Sequence, residues 1–311
     1  MEILKLNPVF KDYIWGGERL HKDYGFETGF EKTAEGWMLA CHKDGMNTVC
    51  GGKYDSLPLD KVIEVQGAET FCGKNSEKFP YFPVLIKLID AYDNLSVQVH
   101  PDDKYAREVE NEFGKTEMWY VLDAADDANL IYGFKNSITS AEFRQSIEDN
   151  TLMDKLNSVS IKKGDLFFIE AGTVHAIGKG ALIAEIQQNS NCTYRVYDYG
   201  RVGKDGKPRE LHIDKAVDVS VTAPPKYEVK NYSNNPACNL ASCDLFTVDK
   251  YTVSDNLTLC TNEDSFNHIL VVDGNGLIGG RTAKKGDSYF VPANYGEYCI
   301  SGSLEIIVTK I

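Results

Sequence analysis

Residues 95–104, LSVQVHPDDK, alternate Leu95, Val97 and Val99 with Ser96, Gln98 and His100 until Pro101 stops the pattern. A period of two is how a half-buried strand is written, because successive side chains point to opposite faces. One face of this strand is aliphatic; the other carries a hydroxyl, an amide and an imidazole in a row. Short apolar runs recur at 82–88 (FPVLIKL), 118–122, 166–169, 182–187, 269–272, 289–291 and 304–308, with Gly, Asp and Asn between them. Many short strands separated by turn residues predict a sandwich or barrel. Helical patterning is confined to 139–158, where Thr139 or Ser140 can cap a helix with Glu142 close behind, and to 103–112 and 212–217. The chain reads as mostly β with a helical insertion.

An internal echo adds organisation. Residues 162–169 read KKGDLFFI and 284–291 read KKGDSYFV, each after a strand-like segment, MWYVLD and ILVVDG respectively. Chance similarity over eight residues is the simpler explanation, but Glu170-Ala171-Gly172 also aligns with Pro292-Ala293-Asn294, which favours two related β-units. Five residues past Glu170 stands His175; five past Pro292 stands Glu297. If one copy holds a metal, it is the first. The Pro- and Asn-rich stretch 223–239 is the expected seam, with the helical insertion as an alternative boundary, and some N-terminal strands are expected to cross over into the second unit.

Composition narrows the function. The 311 residues are 42% hydrophobic and 25% charged, ordinary for a globular protein, and carry a net charge of −13. Such an acidic chain is a poor partner for nucleic acid, whereas an anionic small molecule needs only a local convergence of Lys and Arg. No signal peptide and no membrane-length apolar run are apparent, so a cytoplasmic location away from membranes is expected. The eight cysteines lack a CxxC pair and read as reduced thiols. Oligomeric state stays open.

Gln98 and His100 share a strand face, as do Lys115 and Glu117 in GKTEMWYVL, and His175 follows the turn in AGTVH. Two imidazoles, a carboxylate and an amide oxygen would make a divalent site with room for substrate. Zinc suits it best, and iron or manganese are admissible. Taken singly, each of these residues is more often a satisfied polar side chain. Trp15 and Trp37 read as core packing, and Cys41–His42 as neighbours that a strand points apart.

The segment GDLFFIEAGTVH (164–175) resembles the second cupin motif, with Glu170 where proline is usual. The set WGG (15–17), AEGWMLACH (34–42), QVHPDD (98–103), GKTEM (114–118), AGTVHAIG (171–178) and AEIQQNSNCTYRVYDYGR (184–201) resembles the type I mannose-6-phosphate isomerases, closest to their short bacterial form. The likeness covers the first two thirds of the chain; the last third carries no diagnostic motif. It implies two cupin-type jelly-roll β-barrels: a metal-binding catalytic domain over 1–230, with the helical insertion at about 139–158, and a C-terminal unit over 231–311 lacking metal ligands. It also implies one Zn2+ per chain on Gln98, His100, Glu117 and His175, and a sugar phosphate as substrate. Arg195 falls on the catalytic arginine, Glu185 on a carboxylate of the same motif, and Ser96 and Lys115 on positions associated with substrate and phosphate. Many relatives carry Lys directly after the first Asp of HPD, where this chain has Asp103 and then Lys104.

Such an enzyme moves a proton between C1 and C2 of the sugar through an enediol. Glu185 is a candidate base, with a metal-bound water or a lysine as rivals, and Arg195 stabilises charge or grips phosphate. A structural role for Arg195 would pair it with Asp198 or Glu185. Two rival functions stand beside this one: another metal enzyme on the same scaffold, and a non-catalytic sugar-phosphate or metal-binding cupin.

Overall fold

The computed structural model describes residues 1–203 and 206–311. Among these, the strands form sheets of nine, seven and five strands and a two-stranded ribbon. The seven-stranded sheet is central and runs Lys230–Asn231, Asp165–Ile169, Glu117–Ala124, Ala181–Gln188, Val84–Asp90, Glu35–Leu39, Val9–Lys11. Its middle strands are buried on both faces, so they read as continuous apolar runs rather than alternations.

Each face packs on a different partner. Val84, Ile86 and Leu88 join Leu270, Phe290 and Ile307 of the nine-stranded sheet in one core. Ile89, Trp119, Phe167 and Ile183 point the other way and pack on Leu130 and Ile177 of the five-stranded sheet and on Leu95 just before its strand Val97–Val99. That smaller sheet runs Leu156–Ser160, Asn129–Phe134, His175–Ile177, Val97–Val99, Tyr194–Tyr197. The strand carrying Gln98 therefore lies across from the strand beginning at Glu117.

The echo is real at the level of hydrogen bonds. In the first copy the Lys162 amide donates to Asp165 Oδ2 at 2.9 Å, and the Gly164 amide to the Val121 carbonyl at 2.8 Å. In the second, Lys284 donates to Asp287 Oδ2 at 3.0 Å and Gly286 to Val271 at 2.8 Å. Both glycines have φ of 89°, a left-handed value that disfavours other residues. Downstream, Gly172 (φ 89°) and Asn294 (φ 57°) share the left-handed region, which explains why Asn replaces Gly there. In the aligned registers, Glu117 sits opposite Ile169 and its counterpart Asn267 opposite Val291.

The expected crossover is present: Leu4–Asn7 pairs with Ser288–Val291 and Thr48–Cys50 pairs with Leu4–Asn7, so both N-terminal strands complete the nine-stranded sheet. The helical insertion is shorter than the pattern at 139–158 suggests. Thr139 and Glu142 form a reciprocal capping box on Ser140–Glu148, Asn150 turns with φ of 58°, and a single helical turn follows at Leu152–Lys155. Leu156–Ser160 is then a strand paired with Asn129–Phe134, with Leu156 buried in the core and Ser158 and Ser160 exposed while Asn157 and Val159 between them are half-buried. The eight cysteines are free thiols.

Candidate active site

His100 follows the strand Val97–Val99, and His175 opens His175–Ile177; these strands pair with His175 opposite Gln98. Glu117 opens Glu117–Ala124 in the facing sheet. The three residues are buried, and one ligand atom from each lies within 4.8 Å of the others. Their environment sets the tautomers. His100 Nδ1 is 2.8 Å from the Cys192 carbonyl oxygen and His175 Nδ1 is 2.8 Å from that of Thr173. A carbonyl only accepts, so both Nδ1 atoms carry the proton and both Nε2 atoms present lone pairs. Burial, then the neighbouring Lys115, keeps the rings neutral, pushing His100 well below the usual imidazole range and His175 down to about 3.

The two Nε2 atoms face each other at 3.1 Å. Beside them, Glu117 Oε1 is buried with no hydrogen-bond partner and lies 3.3 Å from His175 Nε2. Lone pairs aimed at one point repel unless a cation sits among them. Lys115 Nζ meets part of that demand, lying 3.0 Å from His100 Nε2 and donating to Glu117 Oε2. It leaves His175 Nε2 and Glu117 Oε1 unserved. A nitrogen–nitrogen–oxygen donor set of this kind fits a divalent transition metal. Burial also raises the Glu117 carboxyl, against the pull of Lys115, and a bound dication would hold it ionised.

Next to this cluster lies a cavity of about 290 Å³. Ser96, Gln98, Lys115, Glu185 and Arg195 all line it, and Lys115 joins it to the His100–Glu117–His175 cluster. Lys104 is exposed and does not line it. Lys115 is only 3% exposed, so it is no solvated strand-end lysine.

Glu185 accepts from Trp119 Nε1 at 2.8 Å through Oε2. Its Oε1 lies 3.1 Å from Lys87 Nζ and 3.9 Å from Lys115 Nζ. Lys87 is the ion-pair partner of Oε1, and a carboxylate oxygen so paired still has a second lone pair. Burial would raise this carboxyl, but Lys115 and Lys87 outweigh it and bring it down to about 2.

Arg195 is not paired with Glu185 or Asp198 among the described residues. Its Nη1 donates to the Glu210 carbonyl at 2.9 Å, and its buried Nε has no partner. Asp198 instead serves Arg201 and Arg209. Trp15 departs from the core-packing expectation in part: it is 4% exposed, but its remaining surface lines the cavity. Trp37 is core, donating from Nε1 to Glu35 Oε2 at 2.6 Å.

Three charged cavity residues escaped the sequence reading: Lys87, Glu35 and Arg209. The signal for Lys87 was present, since a lysine inside the apolar run FPVLIKL needs a buried partner. Burial opposes its charge, yet Glu185 and then Glu35 hold it above the ordinary lysine range. Arg209 lies at the end of an irregular excursion, where no periodicity announces what a side chain faces.

Family models match at two places: the catalytic domain of type I phosphomannose isomerase over residues 3–136, and the cupin domain of mannose-6-phosphate isomerase over 237–311. The second match falls where the sequence carried no recognised motif. Mannose-6-phosphate isomerase ManA of Bacillus subtilis is 39% identical over 319 residues, spanning 100% of this chain and 99% of its own. Mannose-6-phosphate isomerase of Streptococcus mutans is 37% identical over 99% of this chain and 98% of its own. The crystal structure of the B. subtilis mannose 6-phosphate isomerase superposes with a TM-score of 0.89 at 34% identity, covering 100% of both chains. With full-length relatives and two matching family models, this chain belongs to the type I phosphomannose isomerase family.

Proposed function

We infer that this protein is a metal-dependent aldose–ketose isomerase that interconverts mannose 6-phosphate and fructose 6-phosphate through an enediol. The observation that carries this reading is the pair of imidazole lone pairs converging with an unpartnered Glu117 oxygen beside a cavity lined by Lys87, Lys115, Glu185 and Arg195. His100, Glu117 and His175 are the protein ligands and Gln98 the fourth, for one Zn2+ per chain. Such an ion would polarise the sugar carbonyl as a Lewis acid and stabilise the oxygen charge that develops as the enediol forms.

The remaining work falls to side chains. Glu185, ionised at neutral pH, takes the proton from the carbon next to the carbonyl and returns it to the former carbonyl carbon, while the hydroxyl proton of the deprotonated carbon passes to the former carbonyl oxygen. Trp119 and Lys87 fix the carboxylate in place. Lys115 offers its donors to the sugar oxygens at the boundary between cavity and ion. Arg195 brings an unused Nε–H to the substrate's charged end, and a guanidinium stays protonated throughout. Ser96, 4% exposed on the same strand face as Gln98, contributes a hydroxyl to phosphate or sugar.

The duplicated turn supports two cupin-type jelly-roll barrels, a metal-bearing unit over 1–230 and a metal-free one over 231–311, the former lending its first strands to the latter. Among the described residues no helix is long and apolar enough to cross a membrane, and a sugar-phosphate substrate fits a cytoplasmic location. A coupled assay following mannose 6-phosphate to fructose 6-phosphate, with and without chelator, tests the function. Turnover abolished by chelator and restored by zinc is expected; a metal-loaded protein that binds sugar phosphate without turnover would establish the non-catalytic alternative.

A further inference from the structure

After Tyr194–Tyr197 the chain leaves the five-stranded sheet and returns beside its own start. The His212 amide donates to the Arg195 carbonyl at 2.8 Å, and Arg195 Nη1 reaches the Glu210 carbonyl at 2.9 Å. Two arginines of this segment, Arg195 and Arg209, face the cavity. Between them stands Asp198, 6% exposed. It takes the Arg209 fork on both carboxylate oxygens, Nε at 2.7 Å on Oδ2 and Nη2 on Oδ1. Arg201 Nη2 donates to the same Oδ1 at 2.6 Å, and Arg201 also reaches the Asn94 carbonyl, at the base of the strand face bearing Ser96. One buried carboxylate thus ties Arg209 to Arg201, which is itself anchored to the Asn94 carbonyl, one residue before the cavity residue Leu95. Arg195, beside them, keeps a buried Nε–H without a partner.

Building on the isomerase reading, we propose that Asp198 is a positioning residue: by gripping Arg209 and Arg201 it holds Arg209 next to Arg195 as a two-guanidinium clamp for the substrate phosphate. A bidentate Arg–carboxylate pair fixes a guanidinium in angle as well as place, and a tetrahedral dianion is bound best by donors held at fixed angles. The sign of the effect separates this role from simple charge. Removing a negative charge near the cavity would strengthen anion binding if only net charge mattered. Removing a positioner weakens it, because Arg209 is released to solvent.

The test uses the zinc-loaded full chain carrying Asp198→Asn or Arg209→Lys. The first substitution is isosteric but removes the charge; the second keeps the charge while losing the fork. Each variant is expected to raise KM for mannose 6-phosphate about tenfold or more, in line with the cost of small misplacements. A much smaller change in kcat and a parallel rise in the inhibition constant of inorganic phosphate are expected with it. Should Asp198→Asn fail to fold, Arg209→Lys leaves the carboxylate and its Arg201 contact in place and carries the test alone. Unchanged KM and phosphate inhibition in a folded variant, or tighter phosphate binding by Asp198→Asn, overturns the inference. Turnover by the wild-type enzyme shows separately whether the isomerase reading itself holds.

Discussion

At the scale of residues, the site gathers charged groups whose partners are incomplete: Glu117 Oε1, Glu185 Oε1 and Arg195 Nε are buried without a hydrogen bond. His100 and His175 direct their Nδ1 protons to backbone carbonyls, so the fold leaves both Nε2 atoms with lone pairs free to meet a cation. His100→Ala is expected to lose bound metal and activity together, read by metal analysis of the purified protein and by the coupled assay. Arg195→Ala should retain metal yet lose at least about a hundredfold in kcat/KM, since a charged group aimed at substrate is removed while the ligand cluster is untouched. Normal turnover by that variant would refute the role given to Arg195. Glu185→Gln keeps the size of the side chain and the Trp119 contact but removes the proposed base. Exchange of the substrate's C2 hydrogen with solvent should then cease even where sugar phosphate still binds.

At the scale of elements, the two copies of the Gly-Asp turn are built alike but differ in consequence. Asp165 and Asp287 each accept an amide of their own turn, and losing that bond costs about 1 kcal/mol. Asp165→Ala and Asp287→Ala should each lower stability by that much or more, since Asp165 also accepts from Asn231 and Asp287 also pairs with Lys5, checked by denaturant midpoints. Only the first leads, through Asp165–Ile169, into the loop that delivers His175, so only the first is expected to weaken metal binding as well. The helix Ser140–Glu148 offers a simpler case. Thr139→Ala removes the side-chain half of the capping box, leaving the bond from the residue 139 amide to Glu142, and should cost about 1 kcal/mol with activity retained, because no residue of the helix lines the cavity.

At the scale of the whole molecule, the central sheet carries the site on one face and the attachment to the nine-stranded sheet on the other. The C-terminal unit is incomplete without Leu4–Asn7, which pairs along Ser288–Val291. Residues 231–311 expressed alone should thus expose an unpaired apolar edge and aggregate, whereas adding a peptide of residues 1–50 should restore part of the solubility. Size-exclusion chromatography of both samples decides this. Saturating metal is expected to raise the melting temperature of the full chain, since an ion bound at a hundred times its Kd adds about 2.7 kcal/mol.

What could be read from the chain without its fold was the chemistry that obeys short-range rules. A period of two put Ser96, Gln98 and His100 on one strand face, and the repeated KKGD turn announced its own geometry, because strand alternation and left-handed turn positions are local properties. The family motifs in turn picked out Glu117, His175, Glu185 and Arg195. Other features depended on contacts between residues far apart in sequence. Lys87 becomes a site residue only because Glu185 and Glu35 flank it from neighbouring strands, and Arg209 only because Asp198 folds it back towards Arg195. Leu156–Ser160 left the helix for the sheet because Asn129–Phe134 offered it a partner. Periodicity reports which way a side chain points from its own strand; what stands opposite is decided by packing, which brings distant segments together to bury apolar surface and leaves each buried charge to find its counterpart.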